Sequence, residues 1–242
     1  LGFLFVLAVG IHFSCTSDNR DINTQVSGEL ATKNNTYANY KRSNNIQYPW
    51  ETSNQELLVN RHPLPKGFAL TNVDESSFEH WLRCLPMKPK GTPIKLFNGK
   101  KKMLQALNGG VLDIDVGKTD LQQCADAVMR LRAEYLYSKK KFANIHFNYT
   151  SGFNAEYSKW REGYKIGVKD NKAYYYKKTE STDKTYQGFR KYLWNVYNYA
   201  GTYSLNKELK KQSTKNIKEG DVLIIGGFPG HVVMVAAAAE NA

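Results

Sequence analysis

Cysteine is scarce in this chain, and so are acidic residues and long apolar runs. Three cysteines in 242 residues make no CxxC pair and no two histidines stand in an HxxxH pattern, so the spacing points to no metal site. No apolar stretch approaches the ~18 residues that suggest a membrane-spanning helix, which excludes a polytopic membrane protein. Aspartate and glutamate number 22 against 34 lysines and arginines, for a net charge of +12. Apolar content of 41% and charged content of 23% are ordinary for a globular protein, and that excludes general disorder. A chain of this length builds one sizeable core, or a core with a small lobe packed on it.

The N-terminus carries an unbroken apolar run, Leu1 to Ile11, too short and too abruptly ended for a transmembrane helix. His12-Phe13-Ser14-Cys15 follows and resembles a lipobox, although His12 stands where an aliphatic residue is usual. Thr16 to Asn19 resembles the export context of Bacteroidetes surface lipoproteins. The expectation is a lipoprotein signal over residues 1–15 with lipid added at Cys15, in a reading frame that starts late. The blander alternative is an ordinary cleaved signal peptide. Either way the protein is exported, and the lipid anchor would hold it to the cell envelope, at the outer membrane. Residues 16–60 are rich in Asn, Ser and Thr and read as a flexible tether. Residues 61–242 read as a single domain.

Within that domain the pattern predicts a helix from Phe78 to Leu85, stopped by Pro86. Lys88 to Lys102 is a basic loop of six lysines and no acid, turned by Gly91, Pro93 and Gly99. Val111 to Val116 alternates, so Leu112, Ile114 and Val116 share one strand face and Asp113 and Asp115 the other. Thr119 or Asp120 can cap the next helix, in which Leu121, Ala125, Val128, Leu131 and Tyr135 form an apolar stripe. A strand over 144–149, a helix over 153–164 and a helix over 186–199 follow. Gly220 to Val235 closes the pattern as two apolar strands joined by a Gly/Pro turn. Helix, strand, helix, strand, helix, helix and strand pair make an α+β fold.

The chemistry-bearing residues are few. Cys124 sits at the start of the strong helix, where dipole and unpaired N–H groups favour a thiolate, and it also borders the apolar stripe as a core residue would. His231 opens the last strand, held by sheet backbone, a position suited to a general base or to a plain turn histidine. Gln122 or Gln123, with the Cys124 N–H, could donate to an oxyanion. Cys84 is the remaining thiol, and a Cys84–Cys124 disulfide would end any catalytic reading. Asp113 and Asp115 could bind a cation or work as an acid/base pair, but read first as a solvated or arginine-paired face, with Arg130 and Arg132 the obvious partners. Trp160, Arg161, Tyr157 and Tyr164 could line a glycan or peptide cleft, or merely rim the core. From Lys165 to Lys218 there are 13 basic residues against 4 acidic ones, with eight tyrosines between Tyr174 and Tyr203. Such interleaving suits anionic glycan or peptide, since an exported protein rarely meets nucleic acid, and the blander reading is a solvated basic surface with weak anion attraction.

Cysteine before histidine, helix before strand, resembles the order of papain-like and NlpC/P60-type thiol hydrolases. The blocks Leu112 to Gly117, Asp120 to Tyr135, Ile145 to Gly163, Phe189 to Leu193, Tyr199 to Leu205 and Gly220 to Val235 resemble a Bacteroidetes lipoprotein family that carries domain of unknown function 4846. That resemblance implies an envelope lipoprotein and brings no activity with it. The family pattern places an aspartate a few residues after the histidine, where this chain has Ala236 to Ala239, and it continues with further strands beyond Ala242. A third catalytic residue is expected in that continuation. Two functions follow as expectations. One is a cysteine amidase or peptidase acting on peptidoglycan or peptide, with Cys124 as nucleophile, His231 as base, Gln122 or Gln123 as oxyanion donor, no cofactor and no metal. Its fold would be papain-like or NlpC/P60-like, a Cys-bearing helix packed on an antiparallel sheet bearing His. The other is a non-catalytic lipoprotein that binds anionic glycan or peptide through its Lys/Tyr-rich surface.

Overall fold

The computed structural model describes residues 5–9, 36–37, 39–50, 56–103, 105, 109–177 and 182–241. Cys15 and most of the expected tether lie outside them. The elements run β1 (Phe5–Val9), β2 (Thr36–Tyr37), α1 (Leu58–Arg61), β3 (Pro63–Leu64), β4 (Phe68–Leu70), α2 (Phe78–Arg83) and α3 (Cys124–Ser138). Then come β5 (His146–Asn148), β6 (Asn154–Glu156), α4 (Tyr157–Arg161), β7 (Tyr164–Lys169), β8 (Lys172–Lys177), α5 (Tyr186–Tyr197), α6 (Thr202–Glu208), β9 (Val222–Ile225) and β10 (His231–Asn241). Among the described residues no helix is long and apolar enough to cross a membrane. The architecture is α+β, with small antiparallel sheets.

β10 organises the main sheet. Its first half pairs antiparallel with β9, His231 opposite Ile225 and Met234 opposite Val222. Its second half pairs with β4, Ala239 opposite Leu70, and along much of its length with β1, which lies inside the expected leader. β5–β6 and β7–β8 are separate hairpins. The alternating segment 111–116 does not become a strand; a single bridge, Leu112 to Met87, ties it to the chain after α2. The helix expected over 153–164 also breaks up, because Asn154–Glu156 pairs with β5 and only Tyr157–Arg161 is helical.

α2 begins where expected. Ser77 is its N-cap, its side chain accepting from the His80 N–H, which satisfies one of the helix's orphan donors. The cap of α3 falls later than expected, at Gln123, whose backbone N–H donates to Asp126 Oδ2 at 2.9 Å. Alanines, Met129, Leu131 and Leu136 favour helix along α3, and its apolar residues pack with Trp81, Leu82, Val232 and Met234 in one core. Ile46 and Trp50 are buried in the same core, so packing starts well before residue 61. The Trp50 indole donates to the Asp113 carbonyl at 2.9 Å.

A buried ion pair joins α2 to the sheet. Arg83 Nε donates to Glu219 Oε1 at 2.7 Å, and each side chain is 1% exposed. The same oxygen accepts the Ala238 N–H at 2.9 Å, and Arg83 also donates to the Thr71 carbonyl at 2.8 Å. Removing one partner would strand the other charge in the core. Glu219→Gln is therefore expected to lower unfolding free energy by about 3–5 kcal/mol, read from urea denaturation. A loss below ~1 kcal/mol would mean that the pair contributes no more than an exposed one.

Candidate functional site

Cys124 is the first residue of α3 and 7% exposed, within the apolar core. It is a free thiol. Gln122 is buried and its amide oxygen accepts from Arg130 Nη1 at 2.9 Å. Gln123 serves as the helix cap. His231 is exposed at the start of β10. Val232 and Met234, its neighbours on the strand, are buried and belong to the core that α3 joins. Alternation along a strand therefore turns His231 toward the opposite side of the sheet. Among the described residues no hydrogen bond joins Cys124 to His231, so the expected thiol–imidazole couple is not assembled in this arrangement.

A thiol–imidazole contact does exist elsewhere. Cys84 Sγ lies 3.7 Å from His80 Nε2, and His80 Nδ1 lies 2.5 Å from the Tyr40 hydroxyl. Cys84 is fully buried, and burial pushes its thiol up to about 12. Burial also lowers the His80 imidazole, with Arg83 adding to the effect. Both groups are therefore neutral near pH 7, and a neutral buried thiol is a poor nucleophile. The sequence signal was the i, i+4 spacing of His80 in α2 and Cys84 at its C-terminal cap, which places them on one face. Cys84 and Cys124 are both free, so the disulfide alternative does not hold.

Arg130, Arg190 and Glu134 are buried between α3 and α5, and Asp115, 57% exposed, reaches them from the segment before α3. Asp115 is forked by two arginines: Oδ1 accepts from Arg130 Nη2 at 2.8 Å and Oδ2 from Arg190 Nη2 at 3.0 Å. Arg130 also donates to the Asp115 carbonyl and to Glu134 Oε1. Glu134 Oε1 takes a further bond from the Tyr186 hydroxyl at 2.7 Å. Burial opposes ionisation of Asp115, but Arg130 and then Arg190 outweigh it and hold its carboxyl below the usual range. Glu134, more deeply buried, is raised instead. Asp115 pairs with Arg130 as the sequence suggested; Arg132 does not, and its guanidinium lies over the rings of Phe78 and Tyr135. A cavity of about 260 Å³ opens beside this network, with Lys88, Ile94, Leu112 and Gln122 on its walls. Among the described residues no group of three His, Cys, Asp or Glu side chains could hold a metal ion.

The expected aromatic cleft around α4 is closed. Tyr157 is fully buried and Trp160 is 7% exposed, while the Arg161 guanidinium sits 3.9 Å from the centre of the Phe142 ring. These residues form the packed base on which the β7–β8 hairpin stands, so they offer no open face to a ligand. Sequence reading missed that hairpin as an element. Its signal was Asp170-Asn171, both in the left-handed region at φ 49° and 59°, a turn favoured where alternating strands meet.

Opposed residues in an antiparallel pair share a face. Ile166 and Tyr175 lie opposite each other on the inner face, where the Tyr175 hydroxyl accepts the Glu156 N–H at 2.6 Å and donates to the Asn154 carbonyl at 2.9 Å. The outer face carries Tyr176, Tyr174 opposite Gly167, and the Lys169–Lys172 pair, while Lys165, opposite Tyr176, holds its ammonium 3.9 Å from the centre of the Trp160 ring. The face holds no carboxylate. Tyr174 and Tyr176 are 47% and 40% exposed, their ring centres 6.1 Å apart. Gly167 matters here: a Cβ at that position would come within 2.9 Å of the Tyr174 ring, so only glycine lets the ring lie down on the strand.

Residues 58–242 match the family described as Domain of unknown function (4846), and the chain belongs to that family. No curated protein and no solved structure matches it.

Two outcomes test this account of the thiols and the buried acids. In protein lacking Cys15, thiol reagents should label neither Cys84 nor Cys124 quickly until denaturant is added, and then label both. Rapid native labelling of Cys124 would show that the thiol is open to solvent. Asp126 supplies the second outcome. Burial pushes its carboxyl up to about 7, against the Gln123 N–H bond. The folded state then holds the proton more tightly than the unfolded one, so this group's stabilisation fades as pH rises from about 4 to about 7. Asp126→Asn should gain stability relative to the parent across that window, on the order of 2–4 kcal/mol. Parallel stability curves for the two proteins would refute it.

Proposed function

We propose that this chain is a non-catalytic envelope lipoprotein that binds an anionic glycan or peptide on the outer face of its β7–β8 hairpin. The observation that carries this reading is the pairing of two exposed, adjacent tyrosine rings with the exposed Lys169 and Lys172 on a face without acid. Ring faces stack on sugar rings and peptide groups, and ammonium groups attract carboxylates without demanding one geometry. The inner face supports the presentation, since Tyr175 and Ile166 fix the hairpin to the domain. A lipid on Cys15 would place this face in the envelope, at the outer membrane, close to carboxylate-bearing polymers.

The amide-hydrolase alternative, with its papain-like or NlpC/P60-like architecture, asks for Cys124 and His231 within hydrogen-bond reach. Burial of the thiol and the outward turn of the imidazole count against it. Binding is the reading that the geometry supports.

Titration with polygalacturonate or poly-glutamate provides the test. Affinity should fall by about tenfold or more when Tyr174 and Tyr176 are both changed to Ala, and it should weaken as NaCl rises from about 50 to about 300 mM. Cys124→Ser should change neither. Binding that ignores both the tyrosines and the salt would sink the proposal.

A further inference from the structure

Away from the hairpin, α2, α3, α6 and the β9–β10 pair meet around a cleft of about 630 Å³. That size lies within the ~300–1,000 Å³ typical of ligand pockets. Phe78, Val222 and Leu209 give it partly exposed apolar surface, and the buried Val128 and Met234 also line it. Arg132 stands on its wall with the guanidinium carbon 5.2 Å from the centre of the Phe78 ring and 5.8 Å from that of Tyr135. It is exposed, and among the described residues no carboxylate lies within ion-pair distance of it. Two rings therefore hold a planar fork of donors that has no acid to bind. The other cation on the wall, Lys218, already has Glu79 at 3.5 Å.

The same cleft presents an ordered carboxylate. Glu208 Oε2 accepts the Asn148 N–H at 3.1 Å, which leaves Oε1 turned toward His146 Nδ1 at 3.6 Å. Asp221 adds a second negative charge to the lining. A simple anion would meet these two carboxylates, and a simple cation would meet Arg132. A molecule with one charge of each sign and an apolar body satisfies all three parts of the surface.

We infer that this cleft binds a short free peptide of roughly two or three residues. Its carboxylate pairs with Arg132, its terminal ammonium with Glu208, and an apolar side chain rests against Phe78, Val222 and Leu209. The site is separate from the hairpin face and does not depend on that reading.

Calorimetric titration of the intact protein with the tripeptide Leu-Val-Leu tests this, with the C-amidated and N-acetylated forms as the other arms. Each blocked form is expected to bind about tenfold or more weakly than the free peptide, as loss of a charge-assisted bond requires. Arg132→Gln should weaken the free peptide and erase its advantage over the amide. Glu208→Gln should erase the advantage over the acetylated form. Changing Tyr174 and Tyr176 to Ala should leave all three titrations unaltered. The inference is overturned if the amide binds as well as the free peptide, or if folded protein gives no binding at millimolar concentration. It also fails if the acetylated form binds as tightly, since the occupant would then be the C-terminus of a longer chain.

Discussion

A buried guanidinium must find acceptors for its N–H groups, and Arg130 and Arg190 are both buried where α3 meets α5. Taking them out of water costs several kcal/mol each unless carboxylates repay it. Glu134 lies inside with them, and Asp115 reaches in from the segment before α3. Much else follows from that requirement. α3 can be buried on two faces because one is apolar and the other is a neutralised row, Arg130 and Glu134. The segment 111–116 is drawn down onto the helix by Asp115 rather than joining a sheet. The basic loop after α2 is carried with it, which leaves the small cavity between them. α5 docks through Tyr186 and Arg190, and its remaining face, with Phe189, Leu193 and Val196, completes the core.

The same core keeps the reactive groups quiet. Cys84 and Cys124 are both covered, and the nearest imidazole to a thiol is itself buried and neutral. The groups left to interact with the outside are of another type: flat rings with cations beside them. On the hairpin two tyrosines lie among lysines, and in the cleft an arginine lies on two rings. Both arrangements hold a charge on an apolar support, which limits the side-chain entropy lost when an anion arrives.

Local pattern made much of the fold legible. The spacing from Phe78 to the stop at Pro86 marked α2, the stripe of Ala125, Val128, Leu131 and Tyr135 marked α3, and Phe189, Leu193 and Val196 marked α5. The Gly/Pro turn between β9 and β10 could also be read directly, and Asp115 with Arg130 was foreseeable from charge alone. What failed depended on partners distant in sequence. Alternation over 111–116 is a strand signal only if a neighbouring strand is available, and here Arg130 and Arg190 pulled the segment away. Tyr157 and Trp160 looked like cleft residues until α5 and the hairpin covered them. A histidine at the head of a strand is no nearer to a thiol than the sheet's facing permits, and that facing is set by which side of β10 the core occupies.

The central position of β10 bears on how the chain acquires its shape. Thr71 donates to the carbonyl of Ala238, 167 positions away, and β4 finds its strand partner only in the final residues described. Contacts of such separation are slow to form, because a long loop must close before they contribute. α2 and α3 can each take shape early from their own caps and propensities. Glu219, which secures α2 to the sheet together with Ala238, lies 136 positions after Arg83 and is made long after the helix. Until then Arg83 has no countercharge and the apolar side of α2 has no sheet beneath it. A nascent chain is therefore a set of helices without a floor, and the native core closes only after β9 and β10 have emerged.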